Sequence, residues 1–149
     1  MRKIKLGFIG SGYMGQRAHI ANYATLPDVE LVALAEGRTE TAKAVAQRYG
    51  IKTTYSSHKE MLEKAKLDAV VAIMWFTLHH TVVPDIVEKG LPLLTEKPIC
   101  VCPGTGKKLV KQAQEKGSIY QVGYMKRCDP GTRFVKKKIA QWKQSKEFG

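Results

Sequence analysis

The segment Leu6-Gly7-Phe8-Ile9-Gly10-Ser11-Gly12-Tyr13-Met14-Gly15 runs an apolar stretch straight into the spacing G-x-G-x-x-G. Placed between a strand and a helix, three glycines at that spacing have separate uses around a dinucleotide. Gly10 permits a tight turn, Gly12 lets a pyrophosphate approach the backbone, and Gly15 lets helix and strand pack closely. Thirteen glycines in 149 residues make the spacing weak by itself. Its setting strengthens it: Ile4, Leu6, Phe8 and Ile9 suit a buried strand, and Gln16 to Thr25 suit a first helix. Phosphates would sit on the unsatisfied N–H groups and positive dipole end of that helix, with Tyr13 and Met14 in the same cradle. A second apolar run, Val29 to Ala35, ends in Glu36, 21 positions after Gly15. A carboxylate there would accept hydrogen bonds from the adenosine ribose hydroxyls and repel a 2'-phosphate, which favours NAD. Arg38, two residues on, could pair with that phosphate and keeps NADP open.

The elements that must position this cradle alternate along the rest of the chain. A helix is expected near Glu40 to Tyr49, an extended piece at Lys52 to Tyr55, and a helix opened by a capping box at Ser57-His58-Lys59-Glu60. Ala69 to Met74 is rich in Val, Ile and Ala, as a strand buried on both faces of a parallel sheet should be. A helix from about His79 to Lys89 closed by Gly90, a strand at Leu91 to Thr95, a helix from Pro103 to Gly117 and a last strand at Ile119 to Tyr124 complete the pattern. The fold class is therefore α/β: a doubly wound parallel sheet of Rossmann type, three layers αβα, six strands in the order 3-2-1-4-5-6. Ligands on such sheets bind beyond the carboxyl ends of the strands. The chemistry should therefore lie at Gly10 to Gly15, Glu36 to Arg38, Met74 to His80, Glu96 to Pro98 and Tyr124 to Asp129.

Composition narrows the function classes. With 44% apolar and 26% charged residues the chain reads as one globular domain, and no apolar run approaches a membrane span or a secretory signal. No membrane association and a cytoplasmic location are expected. Three cysteines give no disulfide framework. Cys100-Val101-Cys102 lacks a second pair to complete a zinc site, so no metal is expected. The net charge is +12, and residues 107–149 hold twelve Lys or Arg against three acids. Such a tail could meet a polyanion, but its lysines follow amphipathic helical spacing without exposed stacking aromatics beside them, so no nucleic-acid partner is expected.

Taken together, these residues resemble the N-terminal half of the glucose-fructose oxidoreductase, inositol dehydrogenase and MocA family of NAD(P)-dependent oxidoreductases. The resemblance covers almost the whole chain. It rests on Gly7 to Gly15, on His79 seventeen residues before Glu96, on Thr95-Glu96-Lys97-Pro98-Ile99, and on Gly123-Tyr124-Met125-Lys126-Arg127. It implies hydride transfer between nicotinamide and a hydroxyl carbon of a sugar, cyclitol or related polyol. Lys97 corresponds to the family lysine between nicotinamide and substrate, where an ammonium can hydrogen-bond the reacting oxygen or pass a proton. Glu96 and Pro98 would shape the turn that presents Lys97, and Glu96, Lys97 and Arg127 are counted with the cofactor contacts. Two departures stand out. Met74-Trp75 replaces the usual Thr-Pro, so that Trp75 either stacks on the cofactor or fills the core. His79 either faces the active site or is a packed helix-start histidine. The other histidines with no place in a motif are His19 and His58.

The second departure is one of extent. Family members continue into a substrate domain that completes the pocket and through which they commonly associate. Residues 1–124 are therefore expected to be the NAD(P)-binding domain and residues 125–149 a helical segment leading to a substrate domain outside this chain. The intact protein is expected to be a homo-oligomer. The 149 residues alone should bind cofactor without turning over sugars. The competing reading is a non-catalytic dinucleotide-binding module or sensor, against which Glu96-Lys97-Pro98 argues, because a sensor needs no lysine beside nicotinamide.

Overall fold

The computed structural model describes residues 2–145. Its six strands are β1 (Ile4–Ile9), β2 (Val29–Ala35), β3 (Thr53–Tyr55), β4 (Ala69–Ala72), β5 (Leu93–Thr95) and β6 (Tyr120–Val122). They form one parallel sheet in the order β3-β2-β1-β4-β5-β6, the order expected of a sheet that opens with the glycine fingerprint. The register aligns the strand ends in a single row: Tyr55, Ala35, Ile9, Ala72, Thr95 and Val122 are successive cross-strand partners. The residues that follow them, among them Gly10, Glu36, Glu96 and Gly123, therefore leave the sheet along one edge.

Period-two alternation sends side chains to both faces, and each face has its own core. Leu6, Phe8, Val71 and Ile73 pack with Ile20, Ala42 and Val45 on one side. Ile9, Val70 and Ala72 pack with Met61, Val82, Val83, Ile86, Val87, Leu109 and Ala113 on the other. Ile20 ends a π-helical segment, Gly15–Ile20, that runs into the short helix α1 (Ala21–Tyr23), and the other helical residues come from α2 (Thr39–Tyr49), α3 (His58–Lys64), α4 (His79–Glu88) and α5 (Pro103–Glu115). Phe8 is wholly buried and meets Tyr23 edge-on with ring centroids 5.7 Å apart. Burying a side chain of that size favours folding by roughly 1.5–3 kcal/mol. A final helix, α6 (Pro130–Ser145), opens where Asp129 Oδ1 accepts from the Thr132 N–H at 2.9 Å. It buries none of its residues, so Phe134, Val135 and Ile139 face outward. The expected domain segment runs to residue 149, and residues 146–149 lie outside the described part. No helix among the described residues is long and apolar enough to cross a membrane.

Three local expectations change. The first helix is not a regular α-helix: Gly15–Ile20 is a π-helical segment that passes into the short α1. The capping box is displaced. Ser57 Oγ accepts from the Glu60 N–H at 3.2 Å, but the Glu60 carboxylate reaches back to Ser56, accepting from its hydroxyl at 3.2 Å and its N–H at 3.4 Å. Helix α4 is preceded by a 3₁₀ turn, Phe76–Leu78, in the stretch after strand four to which the sequence assigns no element.

Candidate functional site

The glycine loop leaves β1 with Gly10 at φ +83°, a left-handed backbone that favours glycine, and a Cβ there would collide with the Ile73 carbonyl oxygen. At Gly15 a Cβ would lie 2.9 Å from the Gly10 carbonyl oxygen, so the helical segment and the loop touch backbone to backbone. A Cβ at Gly12 would meet nothing within 4 Å. Two glycines are thus closed by the protein and the third faces open space, where a diphosphate would approach the first N–H groups of the helix. Tyr13 and Met14 are exposed beside it, with the Arg17 guanidinium 5.9 Å from the Tyr13 ring centre.

Glu36 leaves β2 next to this loop and is tied into it. Its Oε2 accepts from the Ser11 N–H and the Ser11 hydroxyl, both at 2.9 Å, and from Arg38 Nη2 at 2.8 Å. Its Oε1 accepts from the Arg38 N–H at 3.1 Å and Arg38 Nε at 2.9 Å. The Arg38 guanidinium, helped by the Ser11 and Arg38 backbone N–H groups and the Ser11 hydroxyl, brings the carboxyl down from 4.5 to about 2, against burial, which pushes it up. The Glu36 side chain is only 9% exposed and Arg38 is 61% exposed. The carboxylate is therefore a fixed negative charge that holds the loop, and Arg38 is the partner free to move.

At β5 the chain turns sharply through a cis Lys97–Pro98 bond. Glu96 Oε2 accepts from the Lys97 N–H at 3.1 Å and its Oε1 accepts from His19 Nε2 at 2.9 Å, while Lys97 is exposed. Tyr124, after β6, reaches across with its hydroxyl accepting from the Ile99 N–H at 3.3 Å. Next to this turn a groove of about 580 Å³ is lined by Ile99, Cys100, Cys102, Val110 and Tyr124. It contains no residue of the glycine loop, so it is not the dinucleotide cradle. Cys100, Cys102 and Cys128 are free thiols.

The edge of the sheet thus collects Gly10, Gly12, Tyr13, Met14, Gly15, Glu36, Arg38, Glu96 and Lys97. Trp75, after β4, is 76% exposed, which excludes the reading that it fills the core. His79 goes the other way. Its ring is wholly buried, Nδ1 lies 3.0 Å from the Ile99 carbonyl oxygen, and Nε2 has no partner among the described residues. Burial lowers its proton affinity against the Ile99 and Pro98 carbonyls, which raise it. A neutral ring donating Nδ1–H to Ile99 braces the turn from below and presents no face to a cofactor, so the packed reading describes it. Arg127 sits exposed in the 3₁₀ turn Met125–Arg127 after β6, with β1, β4 and β5 between β6 and the strand that carries Glu36.

Three residues missing from the sequence reading complete the cluster. Ser11 is fully buried against Glu36, Gln16 Nε2 donates to the Ser11 carbonyl at 2.7 Å, and His19 reaches Glu96. Ser11 lies inside the glycine motif and was legible there as a loop donor. His19 is 77 positions from Glu96, and no local pattern announces that pairing.

Residues 4–124 match a family model described as an oxidoreductase family with an NAD-binding Rossmann fold. The inositol 2-dehydrogenase/D-chiro-inositol 3-dehydrogenase of Lacticaseibacillus casei is 30% identical over 139 residues, which are 91% of this chain and 40% of that protein. The rhizopine catabolism protein MocA of Rhizobium meliloti is 33% identical over 130 residues, 87% of this chain and 40% of that protein. Among solved structures, the WlbA dehydrogenase of Bordetella pertussis, in complex with NADH and UDP-GlcNAcA, is 28% identical. It superposes with a TM-score of 0.86 over 95% of this chain and 40% of its own. The scyllo-inositol dehydrogenase of Lactobacillus casei, with bound NAD(H) and scyllo-inositol, shares the fold at a TM-score of 0.85 and 23% identity, over 95% of this chain and 42% of its own. The chain spans about 40% of the length of the curated relatives it matches.

Proposed function

This chain belongs to the Gfo/Idh/MocA oxidoreductase family and carries its NAD-binding Rossmann fold; from that membership and the geometry of the sheet edge we propose that it seats the cofactor of a polyol or sugar dehydrogenase. Gly12 and the start of the Gly15–Ile20 helical segment would hold the diphosphate. Glu36 would hold the adenosine ribose, and Trp75 and Lys97 would meet the nicotinamide end. The observation that carries this is the row of strand ends. It places an open glycine between a fixed carboxylate on β2 and an exposed lysine on β5, and the order β2-β1-β4-β5 orients an extended dinucleotide across the edge.

Nicotinamide, when bound, supplies the hydride acceptor or donor for a hydroxyl carbon. The chain's own residues orient and polarise. Lys97 Nζ, with its backbone held by Glu96, presents an ammonium that hydrogen-bonds the reacting oxygen and stabilises negative charge developing there. Trp75 supplies a flat apolar face that keeps water from the ring. Glu36 favours NAD, because its charge is pinned where a 2'-phosphate would meet it. The substrate class, a sugar, cyclitol or related polyol, follows from the relatives' activities. Residues 1–124 form the cofactor domain, and residues 125–149 lead toward the part that would hold substrate and mediate oligomerisation.

Titration of NADH and NADPH into the protein tests the cofactor reading. NADH is expected to bind more tightly. NADPH binding tenfold tighter, a difference of about 1.4 kcal/mol, would reverse the preference. Absence of binding by either would remove the reading altogether.

A further inference from the structure

The π-helical segment after the glycine loop buries Gly15 and Ile20, five residues apart, which a regular α-helix would set on different faces. Its polar side chains show what it does. Gln16, at its start, donates to the Ser11 carbonyl of the glycine loop at 2.7 Å. His19, three residues on, donates Nε2–H to Glu96 Oε1 at 2.9 Å. One wide turn therefore holds two loops that leave different strands, β1 and β5, across the intervening β4. π-Turns inside helices are rare and concentrate at functional sites, because the extra residue redirects side chains that a regular helix would aim elsewhere.

The connection extends in both directions. Ser11 is bonded to Glu36, and Glu36 to Arg38, on the β2 side. On the β5 side the second oxygen of Glu96 accepts the Lys97 N–H. Both oxygens of Glu96 are thus committed, one to His19 and one to the peptide that carries Lys97. The His19 and Glu96 side chains are 16% and 17% exposed, so water competes weakly for this bond. Gly123 closes the far side: a Cβ there would come within 3.3 Å of the Thr95 carbonyl oxygen and 4.0 Å of Glu96 Cδ. The carboxylate thus lies beside the chain that leaves β6, with His19 of the π-turn as its other neighbour.

We propose that His19 is a positioning residue for Lys97: through Glu96 it fixes the Lys97 turn to the same helical turn that grips the glycine loop. Seating of a dinucleotide at Gly12 and the direction of the Lys97 ammonium are thereby linked. His19 touches neither cofactor nor substrate in this arrangement. The inference rests on the cofactor reading above for what Lys97 meets, and on the hydrogen bonds alone for how Lys97 is held.

The test compares wild type with His19→Leu, which keeps bulk and removes the donor, His19→Gln, which restores an N–H, and Glu96→Ala. Two quantities are read: exchange of the Lys97 backbone N–H by NMR without cofactor, and acetylation of Lys97 Nζ by trace acetic anhydride, followed by mass spectrometry, with and without saturating NADH. His19→Leu should speed Lys97 N–H exchange about tenfold and cut the NADH protection of Nζ at least threefold, with His19→Gln restoring most of both. A general packing defect would instead raise exchange across β1 and β5 together and would not be rescued by Gln. Wild-type exchange and protection at Lys97 in His19→Leu would overturn the proposal. If that variant does not fold, Glu96→Ala is judged by the same two criteria. A wild-type protein that binds no NADH would sink the cofactor reading, and the exchange measurement would then decide the role of His19 by itself.

Discussion

Glu36→Gln removes a charge from a position where five donor contacts converge, and its cost follows from the structure. A carboxyl brought from 4.5 to about 2 prefers the folded protein by roughly 3 kcal/mol when ionised, since each tenfold change in proton affinity is worth about 1.4 kcal/mol. The Arg38 side chain that dominates the effect is 61% exposed, and solvent screening reduces the usable share to about 1–2 kcal/mol. Glutamine brings a further penalty, because its NH₂ must face donors in either orientation: the Arg38 N–H and Nε on one side, the Ser11 N–H and Arg38 Nη2 on the other. Denaturant unfolding at pH 7 should therefore show a loss of about 2–3 kcal/mol. The pH dependence has a definite sign. The folded-state proton affinity is depressed, so the charge contribution is complete above 4.5 and declines as the pH falls toward about 2. The gap between wild type and Glu36→Gln should narrow by about 1–2 kcal/mol between pH 5 and pH 2.5. A gap under 0.5 kcal/mol at pH 7, or one that stays constant down to pH 2.5, would refute the claim that this carboxylate holds the loop.

The two glycines of the loop should part company under substitution. Gly10→Ala meets both a left-handed backbone and the Ile73 carbonyl and should cost more than about 2 kcal/mol in denaturant unfolding, whereas Gly12→Ala should unfold like wild type and yet weaken NADH binding tenfold or more. Equal effects of the two on stability would contradict the assignment of Gly12 to open space. Because burial holds the His79 ring neutral, its contribution is complete above 6.5 and falls as the pH drops below that value, so the melting temperature of wild type should decline toward that of His79→Leu between pH 7.5 and 5.5. A difference that does not change over that range would argue that the ring protonates freely. The 149 residues should bind dinucleotide without sustained turnover of polyols. In a longer form that carries a substrate domain, Lys97→Ala should lower kcat by roughly a hundredfold while leaving NAD affinity nearly unchanged. Undiminished turnover there would take Lys97 out of the chemistry.

What the sequence determined by itself is what depends on local chemistry and periodicity. The β-branched runs, the glycine spacing and the capping signals specify six strands with helical crossovers, and the glycine fingerprint with its acid after strand two points to the dinucleotide-binding order, which is the order found. The glycine loop, Glu36 and the Glu96-Lys97-Pro98 turn were legible because each sits directly after a strand, where a parallel sheet places its ligands. Tertiary structure alone decided how those pieces are held. Trp75 could be a core or a surface residue by pattern, and its 76% exposure follows from the turn of the chain after β4. His79 sits at a helix start, where sequence permits either face, and it turns inward because the Ile99 carbonyl offers its Nδ1 a buried partner. Sequence shows Glu36 only as an acid after a strand, whereas in the fold Ser11 and Arg38 donate to it, since a largely buried carboxylate gathers whatever donors the fold brings near. The bond between His19 and Glu96 lay furthest from view. It joins residues 77 positions apart through a π-turn, and neither hydrophobic period nor motif records a polar contact made only after the sheet has closed.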